Sequence, residues 1–123
     1  MDANEKFQIA KKIQETIDLL EADGDSRLQE AANLRAKTLA EYERAIASTL
    51  IRLKNGSAFV VDGETIERPP VSIMEKVAKG VCWQECFAMT KAEAMFKAAL
   101  EWNTRQRAIL NGYQSIHRYF DTV

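Results

Sequence analysis

The chain has 123 residues, of which 46% are hydrophobic and 28% charged, and its formal net charge is −1. This length is enough for one domain with a modest core, and the composition is typical of globular proteins. No run of about 18 apolar residues predicts a membrane span. The polar first residues do not form the apolar core of a signal peptide, so we expect a cytoplasmic protein.

The charges are unevenly distributed along the chain. Residues 1–26 carry three Lys and seven Asp or Glu, whereas residues 27–55 carry six Lys or Arg and three Glu. The two segments therefore have net charges of −4 and +3. Two interpretations remain open: two solvated helix faces, or an acidic segment that pairs with or shields a basic one.

The first half of the chain predicts two helices. Apolar residues recur at helical spacing from Phe7 to Leu20, which predicts a helix over about 4–21 with Asn4 as its N-cap. Residues 22–26 predict a break, after which Asp25 or Ser26 can cap a second helix over about 27–54.

The second helix is amphipathic and basic. Its end is predicted by Asn55-Gly56, a C-cap signal. Arg27, Lys37, Arg44 and Arg52 lie on its polar side. The candidate binding residues of this helix are Arg35, Lys37, Arg44 and Arg52.

One β-hairpin is predicted over about 58–67. Asp62-Gly63 separates two short β-prone runs, which is the sequence signal of a type I′ turn. A hairpin this small must pack on the helices to be stable. It can serve as a compact connector or as a projecting finger that contacts a partner.

Two further helices follow the hairpin. Pro69-Pro70 predicts the start of a short helix over about 71–79, and Gly80 is a candidate C-cap or kink. A long helix is predicted over about 82–119. Gly112 lies inside it, where it can permit close helix approach or mark a bend.

The long helix carries ten residues at strict 3-4 spacing, which is the a/d seam of a coiled coil or helical bundle. They are Met89, Ala92, Phe96, Ala99, Asn103, Gln106, Leu110, Tyr113, His117 and Phe120. All but Ala92 and Ala99 are the candidate oligomer seam. A polar layer at Asn103 and Gln106 costs stability but can fix register or oligomer state. The fold class is therefore mainly α: an antiparallel helical bundle with a long C-terminal helix and one small hairpin.

The long helix has more apolar residues than one face needs. Outside or beside the seam lie Trp83, Phe87, Trp102, Ile109, Ile116 and Phe120. This surplus predicts a second buried surface and hence a homo-oligomer.

No motif for catalysis, a cofactor or a metal site is found in the sequence. The only cysteines, Cys82 and Cys86, are four residues apart on a helix, which is poor disulfide geometry, and they are interpreted as packing residues. We therefore expect a non-enzymatic protein without cofactor or metal.

The best candidates for binding combine basic and aromatic character near the C-terminus. They are Arg105, Arg107, Tyr113, Arg118 and Tyr119. Such residues bind phosphates and stack on single-stranded bases, or form hot spots for protein partners. Alternatively, the aromatic residues close the bundle and the Arg side chains are solvated.

Four segments carry a resemblance to a known class of proteins. Glu41–Arg44, Leu50–Gly56, Val77–Gly80 and the end of the long helix, Leu110–Phe120, resemble small early proteins of tailed phages and prophages that belong to recombination modules. The layout of about residues 40–120 is distantly similar to phage recombination mediators, which assemble as rings and help load a recombinase onto single-stranded DNA. The resemblance implies an accessory protein of the bacterial cytoplasm that binds a recombinase, a single-strand binding protein or single-stranded DNA.

Two other functions are open. A phage protein of this size and mixed charge can be an inhibitor or adaptor that binds a host defence protein, as anti-CRISPR proteins do, or it can be a structural helical module. A continuous basic stripe favours the recombination function, and an acidic, DNA-mimicking face from residues 15–30 favours the inhibitor.

Overall fold

The computed structural model describes residues 2–121. It confirms a mainly α fold with a long C-terminal helix and one small antiparallel hairpin. The helices are α1 (Ala3–Leu19), α2 (Asp25–Lys54), α3 (Val71–Val81) and α4 (Trp83–Asp121), with a π-helical turn over Leu20–Gly24, and the strands are β1 (Phe59–Val61) and β2 (Glu64–Ile66).

The chain divides into two compact units. The central unit is the continuous segment Asn33–Ala94. The terminal unit combines the described residues up to Ala32 with those from Met95 onward.

The N-cap of helix α1 lies two residues earlier than predicted. Asp2 has an extended backbone (φ −81°, ψ 174°), and its carboxylate accepts a hydrogen bond of 2.8 Å from the Glu5 N–H. This is the geometry of an N-cap. The prediction of Asn4 as the cap is wrong, because Asp2 already satisfies the free N–H group and Asn4 lies within the helix.

The predicted break at residues 22–26 is also wrong. Leu20–Gly24 form a π-helical turn that leads directly into α2. Asp25 keeps helical dihedral angles (φ −71°, ψ −39°), so it cannot act as a cap, which requires an extended backbone. Ser26 likewise lies within α2.

The π-turn adds one residue to the helical repeat and so changes which residues face inward. The residues shielded across the turn are Ile13, Thr16, Ile17, Leu20, Gly24, Leu28, Ala31 and Ala32. None of them is charged.

Helix α2 ends at Lys54, and Gly56 caps it as predicted. The Gly56 N–H donates to the Leu53 carbonyl at 3.2 Å, and the Ser57 N–H donates to the Arg52 carbonyl at 3.0 Å. This pair of bonds is a Schellman motif, and the φ of +87° at Gly56 is the left-handed conformation that the motif requires.

The hairpin has the predicted turn. Phe59 pairs with Ile66 and Val61 with Glu64, so Asp62 and Gly63 form a two-residue loop. Both have positive φ, 50° and 79°, as a type I′ turn requires.

The apolar core of the central unit lies where α2, α3 and β1 meet. Leu53, Met74 and Ala78 are buried there, and Ile46, Leu50, Phe59 and Val77 pack around them. Phe59 therefore anchors the hairpin to the helices. A hairpin this small needs such packing to be stable.

Helices α3 and α4 are joined by one residue. Cys82 (φ −94°, ψ 29°) ends α3, its N–H donates to the Ala78 carbonyl, and its own carbonyl accepts from the Cys86 N–H, both at 3.0 Å. The prediction of Gly80 as a C-cap is wrong, because α3 continues through it to Val81.

Candidate interaction surfaces

The predicted seam of α4 is the shielded face of that helix. All ten seam residues are buried or half-buried, and Ala92 and Asn103 are only 2% and 3% exposed. At these two positions the seam is covered within a single chain.

Asn103 contacts the π-turn inside the terminal unit. Its amide nitrogen donates a hydrogen bond of 3.2 Å to the Gly24 carbonyl. Its Oδ1 atom is buried and accepts no hydrogen bond within the described part of the chain. The predicted polar layer therefore consists of Asn103 and a backbone carbonyl, while Gln106 is half-buried beside it.

Gly24 is required for this contact. A Cβ atom at Gly24 would lie 2.6 Å from Asn103 Oδ1 and 3.1 Å from the Trp102 ring. Gly112, for which close helix approach was one prediction, does not serve that role, because a Cβ atom there would meet nothing within 4 Å.

Contacts in the central unit show that α2 and α4 run in opposite directions there. Arg35 lies 3.9 Å from Glu93, and the Thr49 hydroxyl lies 3.3 Å from the Cys82 sulfur. Residue numbers rise along α2, while those of the partners fall from Glu93 in α4 to Cys82 directly before it. This is the antiparallel arrangement expected from the sequence.

The four basic candidates of α2 do not form one stripe. At about 100° per residue, Lys37 and Arg44 share a side of the helix, and Arg35 lies roughly opposite them. Arg35 pairs with Glu93, and Lys37 lies 3.9 Å from Glu41. Arg52 is exposed on α2, as is Arg44.

The candidate binding residues near the C-terminus differ in their exposure to solvent. Tyr113 is half-buried in the seam, whereas Tyr119 is 65% exposed and packs edge-on against Phe120 with ring centroids 5.1 Å apart. Arg107 lies 3.8 Å from Asp25. Arg105 and Arg118 are exposed, and both belong to the terminal unit.

Arg105, Gly112 and Tyr119 form a line along the exposed side of α4. They are seven residues apart, so each step covers about 10.5 Å along the helix on nearly the same side. The open space at Gly112 leaves the surface between the guanidinium and the phenol uncovered. We call these three residues the Arg105–Tyr119 line.

The two cysteines belong to a small polar cluster in the central unit. Cys82 is buried beside the Thr49 hydroxyl, and both cysteines are free thiols. Burial raises the pKa of the Tyr42 phenol, and the neighbouring Cys86 thiol raises it further. Within residues 2–121, no group of three or more His, Cys, Asp or Glu residues is placed to hold a metal ion.

Buried threonines were missed from the sequence. Thr16, Thr38 and Thr49 are buried on the inward side of α1 and α2. The Thr16 and Thr38 hydroxyls donate to the carbonyls of Lys12 and Leu34, four residues earlier, so their methyl groups can pack without an unpaired donor. Counting Thr as apolar in the 3-4 pattern would have identified them.

No family model matches the chain, and no curated protein or solved structure is significantly similar to it. Over the described residues, no helix has both the length and the apolar character needed to span a bilayer.

The two glycines give a paired stability test. Gly24→Ala should lower the free energy of unfolding by about 1–3 kcal/mol, because the new methyl group overlaps the buried Asn103 side chain. Gly112→Ala should raise it by up to about 1 kcal/mol, since alanine is the better helix former in open space. Urea denaturation followed by circular dichroism measures both. A Gly24→Ala protein as stable as the wild type would contradict the close contact with Asn103.

Tyr42 predicts a loss of stability in alkali. Its pKa in the folded protein lies above the ordinary value of 10.0. In the unfolded chain the phenol therefore loses its proton first, so stability falls as the pH rises from 10 toward the folded pKa. Melting temperatures across this range should fall less steeply for Tyr42→Phe than for the wild type. Tyr119→Phe, at an exposed position, is the control and should follow the wild type.

Proposed function

We propose that this chain is a non-enzymatic, phage-type accessory protein of DNA recombination or replication. It self-associates and binds a recombinase, a single-strand binding protein or single-stranded DNA. The Arg105–Tyr119 line is the observation that carries this proposal. A cation for a phosphate and an exposed ring for a base are the two components of single-strand binding.

Several features of the terminal unit support the contact with single strands. The line is exposed at both ends and open at Gly112, so a flexible strand can lie along it. Arg118, next to Tyr119, adds a second positive charge near the ring. Only a few phosphates can be neutralised by such a surface, so binding should be weak and should depend strongly on salt.

The test is binding of a fluorescent oligonucleotide at low salt, measured by anisotropy. Wild-type protein should bind single strands better than duplex. Tyr119→Ala should weaken binding by the stacking contribution of one base, about 1–3 kcal/mol, and Arg105→Glu should reduce the salt dependence.

Lys11→Glu is the matched control for Arg105→Glu, since it makes the same charge change at an exposed position of α1. It should retain binding. If the wild type does not bind single strands even at low salt, direct DNA contact is excluded and the proposal depends on a protein partner alone.

A second function, inhibition of a host defence protein, is favoured by a different observation. Residues 15–30 contain six carboxylates and one Arg, and all seven charged residues are exposed. The segment thus presents a net charge of −5 on helical backbone. Such a surface can occupy a basic groove that otherwise holds nucleic acid.

The acidic segment can be tested by competition. For a DNA-mimicking inhibitor, the protein should displace a labelled oligonucleotide from the DNA-binding defence proteins of the native host. Reversing Glu15, Asp18 and Glu21 to Lys should abolish displacement while the helical signal persists. Displacement that the triple variant retains would exclude this segment as the binding surface.

A further inference from the structure

Two large aromatic side chains are exposed on the central unit at the start of α4. Trp83 is 61% exposed and Phe87 is 65% exposed. Both belong to the apolar surplus of α4, for which the sequence predicts a second buried surface. Single exposed apolar residues are common on folded proteins, but neighbouring exposed rings mark a surface that another molecule can cover.

The two rings lie next to a positive charge. Trp83, Phe87 and Lys91 follow one another in steps of four residues, so they lie on one side of α4, about 6 Å apart along its axis. Lys91 is exposed as well, and all three residues belong to the central unit. We call these three residues the Trp83–Lys91 face.

The spacing of the rings suits a single strand of nucleic acid. A stacked strand advances about 3.4 Å per nucleotide, which is roughly half the rise between Trp83 and Phe87. Each ring therefore has room to stack on a base of its own once neighbouring bases separate. A single strand is flexible enough for this, whereas the bases of a duplex stay paired and stacked. The Lys91 ammonium group, one helical turn further, can then contact a phosphate.

The charge of the face favours a polyanion. Among residues 83–94 the carboxylates are those of Glu85 and Glu93. At about 100° per residue they lie roughly 160° and 120° around the helix from Phe87, and Glu93 is 3.9 Å from Arg35. The phosphates of a strand on this face would therefore meet Lys91 and neither carboxylate of this stretch.

The neighbours of the rings count against a protein as the ligand. Gln84, Thr90 and Lys91 are exposed and lie within roughly 60° of Phe87 around the helix. The centre of a protein interface is apolar, and lysine is depleted there. Two rings among polar side chains offer flat faces for stacking rather than a continuous apolar patch.

We propose that the Trp83–Lys91 face is a second binding site for single-stranded nucleic acid, located on the central unit. Trp83 and Phe87 stack on two bases, and Lys91 binds a phosphate. The inference rests on the proposed function, because it takes the same class of ligand, but it uses none of the residues of the Arg105–Tyr119 line.

Trp83 itself reports whether a strand stacks on it. The chain has two tryptophans, and the other, Trp102, is half-buried in the terminal unit. Titration with an unlabelled oligothymidylate at low salt should quench the tryptophan emission of the wild type to saturation. Trp83→Phe keeps a ring for stacking, so it should still bind a labelled oligothymidylate in an anisotropy assay, while its emission no longer changes.

Removing one contact should weaken binding by a defined amount. Phe87→Ala removes one stacking ring and should raise the dissociation constant roughly 5- to 150-fold. Val71→Ala is its matched control, because Val71 is an exposed apolar residue of the same unit without a ring, and it should bind as the wild type does. Lys91→Glu should weaken binding and reduce its salt dependence, whereas Lys11→Glu should do neither. All four variants should keep the helical signal of the wild type.

Three results would overturn the inference. In the first, the oligonucleotide binds but leaves the tryptophan emission unchanged. In the second, the quenching persists in Trp83→Phe, which would place it at Trp102. In the third, the emission of the wild type changes on dilution without oligonucleotide and Phe87→Ala abolishes that change, which would assign the rings to self-association.

The two DNA contacts can fail independently. Binding that Tyr119→Ala weakens and Phe87→Ala does not would leave the proposed function standing without the Trp83–Lys91 face. Quenching of Trp83 together with full binding by Tyr119→Ala would support the face and count against the Arg105–Tyr119 line. No binding by the wild type at low salt would overturn the face and leave the proposed function with a protein partner alone.

Discussion

The close contact between Asn103 and the π-turn is the constraint on which the arrangement of the terminal unit depends. A buried amide costs free energy unless it is hydrogen-bonded. The Gly24 carbonyl accepts a hydrogen bond from the Asn103 amide nitrogen. The contact can form only where the backbone carries no side chain, which explains glycine at this position. Gly24 lies on the inward side of the π-turn, where its carbonyl accepts the hydrogen bond from the buried amide.

The acidic residues of the first segment and the basic residues of α2 are arranged differently. The acidic residues of the first segment are exposed on α1, the π-turn and the start of α2, whereas the basic residues of α2 lie on different sides or pair with Glu. Exposed ion pairs of this kind contribute little to stability. Their distribution matters more for recognition, because a concentrated negative segment repels nucleic acid, whereas the Arg105–Tyr119 line is the contact that we propose for it. The protein therefore offers two surfaces of opposite character on its terminal unit.

The sequence predicted the elements whose signals are local and failed where a signal depends on a distant residue. The Asp62-Gly63 turn and the Gly56 cap follow from the conformational freedom of two or three residues, and both were predicted correctly. The shielded face of α4 was predicted because its 3-4 spacing persists from Met89 to Phe120, whereas its use as an oligomer seam stays a prediction. A break between two helices was predicted at residues 22–26, because Asp, Gly and Ser usually end helices. The close contact of Gly24 with Asn103, 79 residues away, has no signal in the local sequence.

The division into units has a consequence for the order of folding. The hydrogen bond between Gly24 and Asn103 closes a loop of 79 residues, whereas the central unit is one continuous segment built around a two-residue turn. Loop closure costs more entropy as the loop lengthens, and contacts close in sequence form faster. The hairpin and the helices next to it should thus assemble first and shorten the effective loop for the terminal unit. Amide hydrogens near the chain ends would then exchange through partial opening, while those around Leu53 would require global unfolding.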